Sequence, residues 1–310
     1  MGFLDQFWQL TVDGVMVGSL YAMIALGYTL VYGVLQLINF AHGEVFMLGA
    51  FGGLFVARGL LPDGGGVPSG LESVLLVGVG LAAGAACGGA AAFTLERAAY
   101  RPLRKRSAPR LAYLISAIGA SLFAVNLAGK EFGRQNVALP DLFTNGTVFH
   151  IFGAAVSTQT LVIFTVAAAM LVLLDRLVAA TRLGQGIRAV AQDADTAILM
   201  GVNVERVIVL TFVIGGLFAG AGGFLYAMTF NASYSMGFIP GVKAFTAAVL
   251  GGIGNVRGAM LGGLLLGLVE SYGGYVFQAS YKDVIAFLVL VLILMIRPSG
   301  LLGERLGRAA

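Results

Sequence analysis

Residues 37–44 read Leu37-Ile38-Asn39-Phe40-Ala41-His42-Gly43-Glu44 and lie between two long apolar runs. An amide, an imidazole and a carboxylate within six positions are costly to place in hydrocarbon. Ionisable groups at membrane depth line a pathway, a partner helix or a cavity. Gly43 beside them lets a helix break. The rest of the chain makes the membrane setting unavoidable. Of 310 residues, 58% are hydrophobic and 11% charged, with a mean hydropathy of +0.92. A soluble domain carries about 25% charged residues, so water could not cover this surface. The chain reads as a polytopic, all-α membrane bundle forming one domain over 1–310.

A span needs roughly 20 mostly apolar residues. Clear candidates are 10–34, 74–95, 111–128, 160–178, 207–229 and 283–297, the last beginning a few residues earlier. The segments 38–57 and 244–270 are apolar but interrupted by glycine and polar residues. This predicts about eight membrane segments, two of them interrupted helices. No basic residue precedes the first apolar run, so the expected first helix is retained rather than cleaved as a signal peptide.

The net charge of +4 is carried by loops and is no signal for nucleic acid. The linker 97–110 holds Arg97, Arg101, Arg104, Lys105, Arg106 and Arg110 with no acid inside it, which places it in the cytoplasm. The linker 129–158, with Lys130 and Arg134 against Glu131 and Asp141, then faces outward. The linker 179–206, with Arg182, Arg188 and Arg206, returns inside. Counting backward puts the N-terminus outside. Counting forward gives a conflict: a single pass at 244–270 leaves Arg297, Arg305 and Arg308 outside. An extra partial pass at the Gly251-Gly252-Ile253-Gly254-Asn255 break removes it, and the 27 residues there can hold two half-helices.

A faint internal repeat relates 43–49 to 255–262, each following a glycine-interrupted apolar stretch. Paired broken helices in corresponding positions point to an inverted repeat and to a transporter's substrate path. Small-xxx-small pairs recur at Gly14/Gly18, Gly49/Gly53, Gly84/Gly88, Gly216/Gly220 and Gly263/Gly267. They allow close backbone approach. Most are expected to pack within the bundle, with one or two at a subunit interface.

Enzyme motifs are missing: no His-Glu-x-x-His and no phosphate-binding Gly-x-x-x-x-Gly-Lys-Ser/Thr, and no Gly-x-Ser-x-Gly. The two histidines, His42 and His150, cannot build a histidine-rich metal site, and His150 reads as a loop residue. The single Cys87 sits among small residues and reads as packing. His42 and Glu44, two apart, face different directions on a regular helix. For His42 the plain reading is a histidine hydrogen-bonded inside the bundle. For Glu44 it is stabilisation of a helix start, where free N–H groups and the positive dipole end favour a carboxylate. Both also stand as candidates to line a path.

Residues 182–206 are long for a connector. Ile187, Val190, Ala191 and Ala194 recur at helical spacing amid mixed charge, predicting a short amphipathic helix at the inner face. Within it, Asp195-Thr196-Ala197 followed by Gly201 has the spacing of the Glu-Ala-Ala-x-x-x-Gly loop of ABC importer permeases, with Asp for Glu and Thr for the first Ala.

Several separated blocks, in order, carry a wider resemblance. Gly18-Ser19-Leu20-Tyr21-Ala22-Met23-Ile24-Ala25-Leu26-Gly27-Tyr28-Thr29-Leu30-Val31-Tyr32-Gly33, running into 37–44, resembles the first block of the LivH-type permeases of branched-chain amino-acid ABC importers. Arg101-Pro102-Leu103-Arg104, Leu210-Thr211-Phe212-Val213-Ile214-Gly215-Gly216, residues 243–255 and Arg297-Pro298-Ser299-Gly300-Leu301-Leu302-Gly303 are similar to its later blocks. The resemblance covers roughly 10–303 and is weakest at 58–73 and 129–158, outer loops where a binding protein would touch.

The resemblance implies a permease subunit in a bacterial inner membrane, paired with a second permease or with itself. Two cytoplasmic ATPases would use ATP and Mg, leaving this chain without a cofactor, metal or catalytic residue of its own. An extracytoplasmic binding protein would deliver leucine, isoleucine or valine. Helix breaks near Asn39, His42, Glu44 and near Gly251, Gly254, Asn255 would offer backbone groups to a zwitterion. The helix carrying Asp195, Thr196, Ala197 and Gly201 would dock on an ATPase. Urea, short amides or other amino acids are alternative cargoes. A channel or ion-coupled secondary transporter is a different class, for which the membrane segments offer mainly Glu44, Glu270 and Asp283. An intramembrane enzyme using His42 and Glu44 is a further one.

Overall fold

The computed structural model describes residues 3–61, 68, 70–139, 142–143 and 146–303, with backbone alone at 3–5. In chain order come α1 (Phe3–Leu35), α2 (His42–Gly59) and α3 (Gly70–Leu95). A π-turn (Glu96–Tyr100) carries α3 into α4 (Arg101–Lys105), and α5 (Arg110–Glu131) follows. A hairpin of β1 (Thr147–Ile151) and β2 (Ala154–Ser157) precedes α6 (Thr158–Ala180), α7 (Arg182–Gln192) and α8 (Ala194–Leu199). Then come α9 (Val204–Phe230), α10 (Phe238–Gly251), α11 (Val256–Phe277) and α12 (Lys282–Ile296).

Among the described residues, seven helices are long and apolar enough to cross a membrane. These are α1, α3 with its extension, α5, α6, α9, α11 and α12 with the 3-10 turn before it. Helix α2, 18 residues long, carries His42, Glu44 and Arg58, and α10 has only 14 residues. The small hairpin departs from an all-α bundle. It lies in the outer linker, turned by Phe152 and Gly153, both at positive φ (48° and 88°), as a two-residue hairpin turn requires. His150 is exposed on β1.

The first interruption differs from the expected one. The break occupies 36–41, between α1 and α2, and His42, Gly43 and Glu44 form the first turn of an unbroken helix. The second interruption does divide 244–270 into two helices, α10 and α11.

In lipid, apolar side chains gain little by facing one another, and close contact of small residues holds helices together. All five glycine pairs pack inside this chain. Gly14 and Gly18 of α1 meet Gly267 and Gly263 of α11, and a Cβ at Gly18 would stand 2.8 Å from the Gly263 carbonyl oxygen. Gly216 and Gly220 of α9 meet Gly88 and Gly84 of α3 in the same manner, while Gly49 and Gly53 of α2 close the second seam. The expectation that one or two serve a subunit interface does not hold. Cys87 fits the plain reading, its Sγ against Gly52 and 3.3 Å from the Leu48 carbonyl.

These seams reveal the repeat. Gly27 faces Gly215 and Met23 faces Gly222, so α1 and α9 run antiparallel. Each ends in a non-glycine residue at positive φ, Gln36 (51°) and Asn231 (65°). An irregular stretch follows each, then α2 or α10, then α3 or α11. The inverted repeat therefore pairs α1–α2–α3 with α9–α10–α11. The expected match of 43–49 with 255–262 is corrected: the first opens α2 and the second opens α11, which are not equivalent positions. The repeat is kept in breaks and packing partners, not in side-chain identity.

Topology follows. Helix α11 is antiparallel to α1, and Gly254 lies beside Gly33 near the inner end of α1. Helix α10 is thus the extra partial pass, and α12 brings Arg297 back to the inner side. Arg305, Arg308 and Asp141 lie outside the described residues.

One charged cluster lies between α10, α11 and α12, with Lys243 and Glu270 buried and Asp283 half-exposed. Lys243 Nζ is 3.0 Å from Glu270 and 2.7 Å from Asp283, and Tyr21 donates to Glu270 at 2.9 Å. Two of the carboxylates weighed for ion coupling thus share one internal lysine. Removing one partner of a buried pair costs about 3–5 kcal/mol, because the other charge is stranded. Lys243→Met is expected to lose that much by thermal unfolding in detergent, and Lys243→Met with Glu270→Gln to recover most of it. For the glycine seams, Gly220→Val, whose Cβ meets the Gly84 carbonyl, should cost about 1–3 kcal/mol as overpacking. Gly119→Ala, with nothing within 4 Å of its Cβ, should be neutral or gain up to about 1 kcal/mol.

Candidate functional site

Helix α1 ends where Gln36 N–H bonds the Tyr32 carbonyl at 2.7 Å. The chain then needs new partners for its free backbone groups. Asn39 supplies them. Its buried Oδ1 accepts from the Ala41 N–H at 3.1 Å and from the Tyr100 hydroxyl at 3.0 Å. Its carbonyl accepts from the His42 N–H at 3.1 Å. Asn39 is thus the bracket that starts α2, and Tyr100 reaches it from the π-turn after α3.

His42 and Glu44 point apart, as their spacing requires. The His42 ring fills the space over Gly27, where a Cβ would collide with it, and lies edge-on to Tyr28 at 4.7 Å. Glu44 turns to the other side. Its Oε1 accepts from Ser121 of α5 at 3.0 Å, and its carboxylate lies against Gly237, at the start of α10. The N-termini of α2 and α10 therefore converge on one buried carboxylate, and their dipoles favour the negative charge there. No catalytic dyad forms. Ser121 is a partner that the sequence did not announce, being one hydroxyl in an apolar helix.

The second break is covered by the chain's own later residues. Gly252 and Gly254 take φ of 111° and 96°. The carbonyls of Leu250 and Gly251 accept from the Leu301 and Leu302 N–H groups at 2.8 and 2.9 Å. Asn255 starts α11, with Oδ1 accepting from Gly258 N–H at 3.1 Å and Nδ2 donating to the Leu302 carbonyl at 2.8 Å. Gly251 and Asn255 are therefore engaged, and Gly254 is exposed. The third irregular stretch, 231–237, is held by Val137, whose N–H and carbonyl pair with Ala232 at 2.7 and 2.9 Å.

The structure brings the first and second breaks together at a small hollow. Ile38 of one and Ile253 of the other line it, with Tyr28, Tyr32, Phe245 and Ala248. Its wall is aliphatic and aromatic, and Phe40 stands near Phe245 at its rim (6.4 Å between rings). Asn39, His42 and Glu44 sit behind this wall rather than on it. Their burial was legible in the sequence as a cost, but the wall residues look like ordinary apolar positions.

At the inner face, the expected amphipathic helix is two short ones, α7 and α8, meeting at Asp193. Ile187 and Val190 are buried, Ala191 and Ala194 half-buried. Asp193 caps α8: Oδ1 accepts from the Asp195 and Thr196 N–H groups (2.9 and 3.1 Å) and Oδ2 from the Thr196 hydroxyl (2.6 Å). The Thr196 hydroxyl and amide hold this carboxyl below its ordinary value. The cap is therefore complete above the ordinary carboxylate range and is lost as pH falls through the lowered value. Ala197 is buried, while Ile198, Leu199 and Met200 are exposed, the last two at 86% and 80%. Gly201, at φ +83°, closes α8 with its N–H on the Ile198 carbonyl and the Val202 N–H on the Ala197 carbonyl, both at 2.9 Å. The Asp195-to-Gly201 spacing thus encodes a capped turn of helix with an apolar outer edge.

A family described as "Branched-chain amino acid transport system / permease component" matches residues 10–294. The chain is 42% identical to the high-affinity branched-chain amino acid transport system permease protein LivH of Escherichia coli K12, over 96% of each chain. It is 43% identical to the permease protein BraD of Pseudomonas aeruginosa, again over 96% of each. A probable permease protein LivH of Methanocaldococcus jannaschii is 26% identical over 95% of this chain and 92% of that one. With a broken-helix bundle, two breaks joined at an apolar hollow and this near-complete correspondence, the chain belongs to the branched-chain amino acid transport permease family.

Proposed function

We propose that this chain is one permease subunit of an inner-membrane ABC importer for leucine, isoleucine and valine. A second permease, or a second copy, completes the pathway. Two ATPase chains hydrolyse ATP at the inner face, and an extracytoplasmic binding protein hands over the cargo. The observation that carries the mechanism is the union, in one chain, of an apolar hollow at two helix breaks with an exposed apolar edge on α8. The aliphatic and aromatic lining matches the chemistry of a branched aliphatic side chain better than that of urea, which would leave apolar walls facing a polar molecule. The edge Ile198-Leu199-Met200 is the surface an ATPase groove would cover. The names of the relatives support the cargo.

In this reading Tyr28, Tyr32, Ile38, Phe245, Ala248 and Ile253 wall the path. Asn39, His42, Glu44, Gly251 and Asn255 fix the breaks from behind, and Gly254 stands at the edge. Asp195, Thr196 and Gly201 stand beside the exposed edge at the ATPase contact, and buried Ala197 holds α8 against the inner cluster. The engagement of Glu270 and Asp283 by Lys243 weakens the ion-coupled alternative, since both carboxylates already hold an internal cation.

Proteoliposomes with the permeases, ATPases and binding protein should take up radiolabelled leucine only with internal ATP. Valine should compete and urea should not. Uptake that survives without ATP hydrolysis and collapses with the proton gradient overturns the reading in favour of a secondary transporter. Gly201→Trp points its side chain into open space and strains α8 by only about 1–2 kcal/mol. It should leave the protein in the membrane while abolishing uptake at normal expression. Normal uptake in that variant sinks the assignment of α8 as the ATPase contact.

A further inference from the structure

We propose that Tyr100 is the positioning residue through which movement of the α7–α8 pair reaches the first helix break; this rests on the importer reading above. Tyr100 is the last residue of the π-turn Glu96–Tyr100. A π-turn carries one residue more than the α-helix around it and recurs at functional sites. This one sits where α3 leaves the membrane, between the inner helices and Asn39.

Three kinds of contact converge on it. The first is an ionic clamp that runs from a buried carboxylate out to a half-exposed one. Glu96, at the start of the π-turn, is fully buried and accepts from Arg104 Nη2 at 2.7 Å. Arg104 Nε donates to Glu205 at 2.8 Å, and Arg101 Nε lies 3.3 Å from the same carboxylate. Glu205 opens α9, just beyond the Gly201 turn that closes α8. The clamp therefore ties both flanks of the π-turn to the helix that follows α8. The second contact is apolar. Tyr100, 1% exposed, belongs to one buried cluster with Val31 and Val34 of α1, Ile187 and Val190 of α7, and Ala197 of α8. Its ring also packs on Phe212 at 5.0 Å. The third is directional: its hydroxyl donates to Asn39 Oδ1 at 3.0 Å, the same oxygen that brackets the start of α2.

The division of labour is physical. Apolar packing passes on displacement but not register, because it is non-directional. A hydrogen bond to the atom that starts α2 fixes register. Residues are set 100° apart on an α-helix, so winding the π-turn back to α geometry would swing Tyr100 off Asn39 and release the break. Displacing Glu205 loosens the clamp that holds the π-turn open. An ATPase pulling on α8 would thereby reach the wall residue Ile38 without touching it.

Tyr100→Phe keeps the ring and removes only the hydroxyl. The test is leucine taken up per ATP hydrolysed in proteoliposomes containing both permeases, the ATPases and the binding protein. One hydrogen bond of about 1 kcal/mol corresponds to a fall of roughly fivefold in that ratio, with basal hydrolysis unchanged. Tyr113→Phe, whose ring lies 6.0 Å from that of Tyr100, should leave the ratio as in the parent. A direct readout uses Phe40→Cys in a Cys87→Ala background: nucleotide should change its maleimide labelling in the parent, and that change should shrink about fivefold with Tyr100→Phe. A coupled parent with an equally coupled Tyr100→Phe overturns the relay alone. A parent without ATP-driven uptake overturns the importer reading and the relay with it. If Tyr100→Phe assembles poorly, Asn39→Ala removes the acceptor from the other side, and a normal ratio there overturns the proposal equally.

Discussion

Backbone N–H and C=O groups freed at membrane depth have no water to turn to, and each must find a partner within the protein. This chain frees them in three places, and each place is met differently. At 36–41 a side chain does it, Asn39, in an apolar neighbourhood that offers little else. At 231–237 a distant strand-like residue does it, Val137 bridging Ala232. At 252–255 the segment after α12 does it, donating from Leu301 and Leu302 to the end of α10. Everything interesting in the molecule sits beside one of these repairs. The hollow lies between 36–41 and 252–255, and Glu44 lies between 36–41 and 231–237.

The repairs can be this exact because the surrounding helices are locked by backbone contact. Glycine seams bring α1 onto α11 and α9 onto α3 so closely that carbonyl oxygens occupy the places of missing side chains. Such seams resist shear, since van der Waals gain falls steeply with a small gap. The two halves are therefore locked to each other, and the irregular stretches within each are where shape can change. The charges follow the same division. Lys243 with Glu270 and Asp283 pins α10, α11 and α12 to one another, while the Arg104 clamp sits at the π-turn that follows α3.

Much of this was legible in the sequence. Composition fixed the membrane class, and the cost of Asn39, His42 and Glu44 marked the first break. The family blocks agreed with the fold from end to end. Other features were hidden for identifiable reasons. The repeat was misaligned because 43–49 and 255–262 share glycine and methionine by composition, whereas the true correspondence lives in φ angles at Gln36 and Asn231 and in packing partners. The role of Tyr100 was invisible because an aromatic before a basic run reads as an interface anchor. Lys243 passed as part of a family block, since nothing near it in sequence has the opposite charge. The partners of Gly251 and Asn255 lie some fifty positions downstream, beyond the reach of local patterns. His42 and Glu44 were placed on different sides by spacing alone, and the structure agrees.

The clasp of α10 by Leu301 and Leu302 has a consequence for how the protein is made. A chain is synthesised from its N-terminus, so the end of α10 enters the membrane while the residues that will satisfy its carbonyls are still to be translated. Until α12 has inserted, that break must be shielded by the translocation machinery or held near the lipid headgroups. Completion of the second half is therefore a late, single event governed by the arrival of one short segment. The first break carries its own bracket in Asn39 and can be satisfied as soon as α3 and its π-turn have emerged. The two halves of the repeat, alike in geometry, differ in when their breaks can be satisfied.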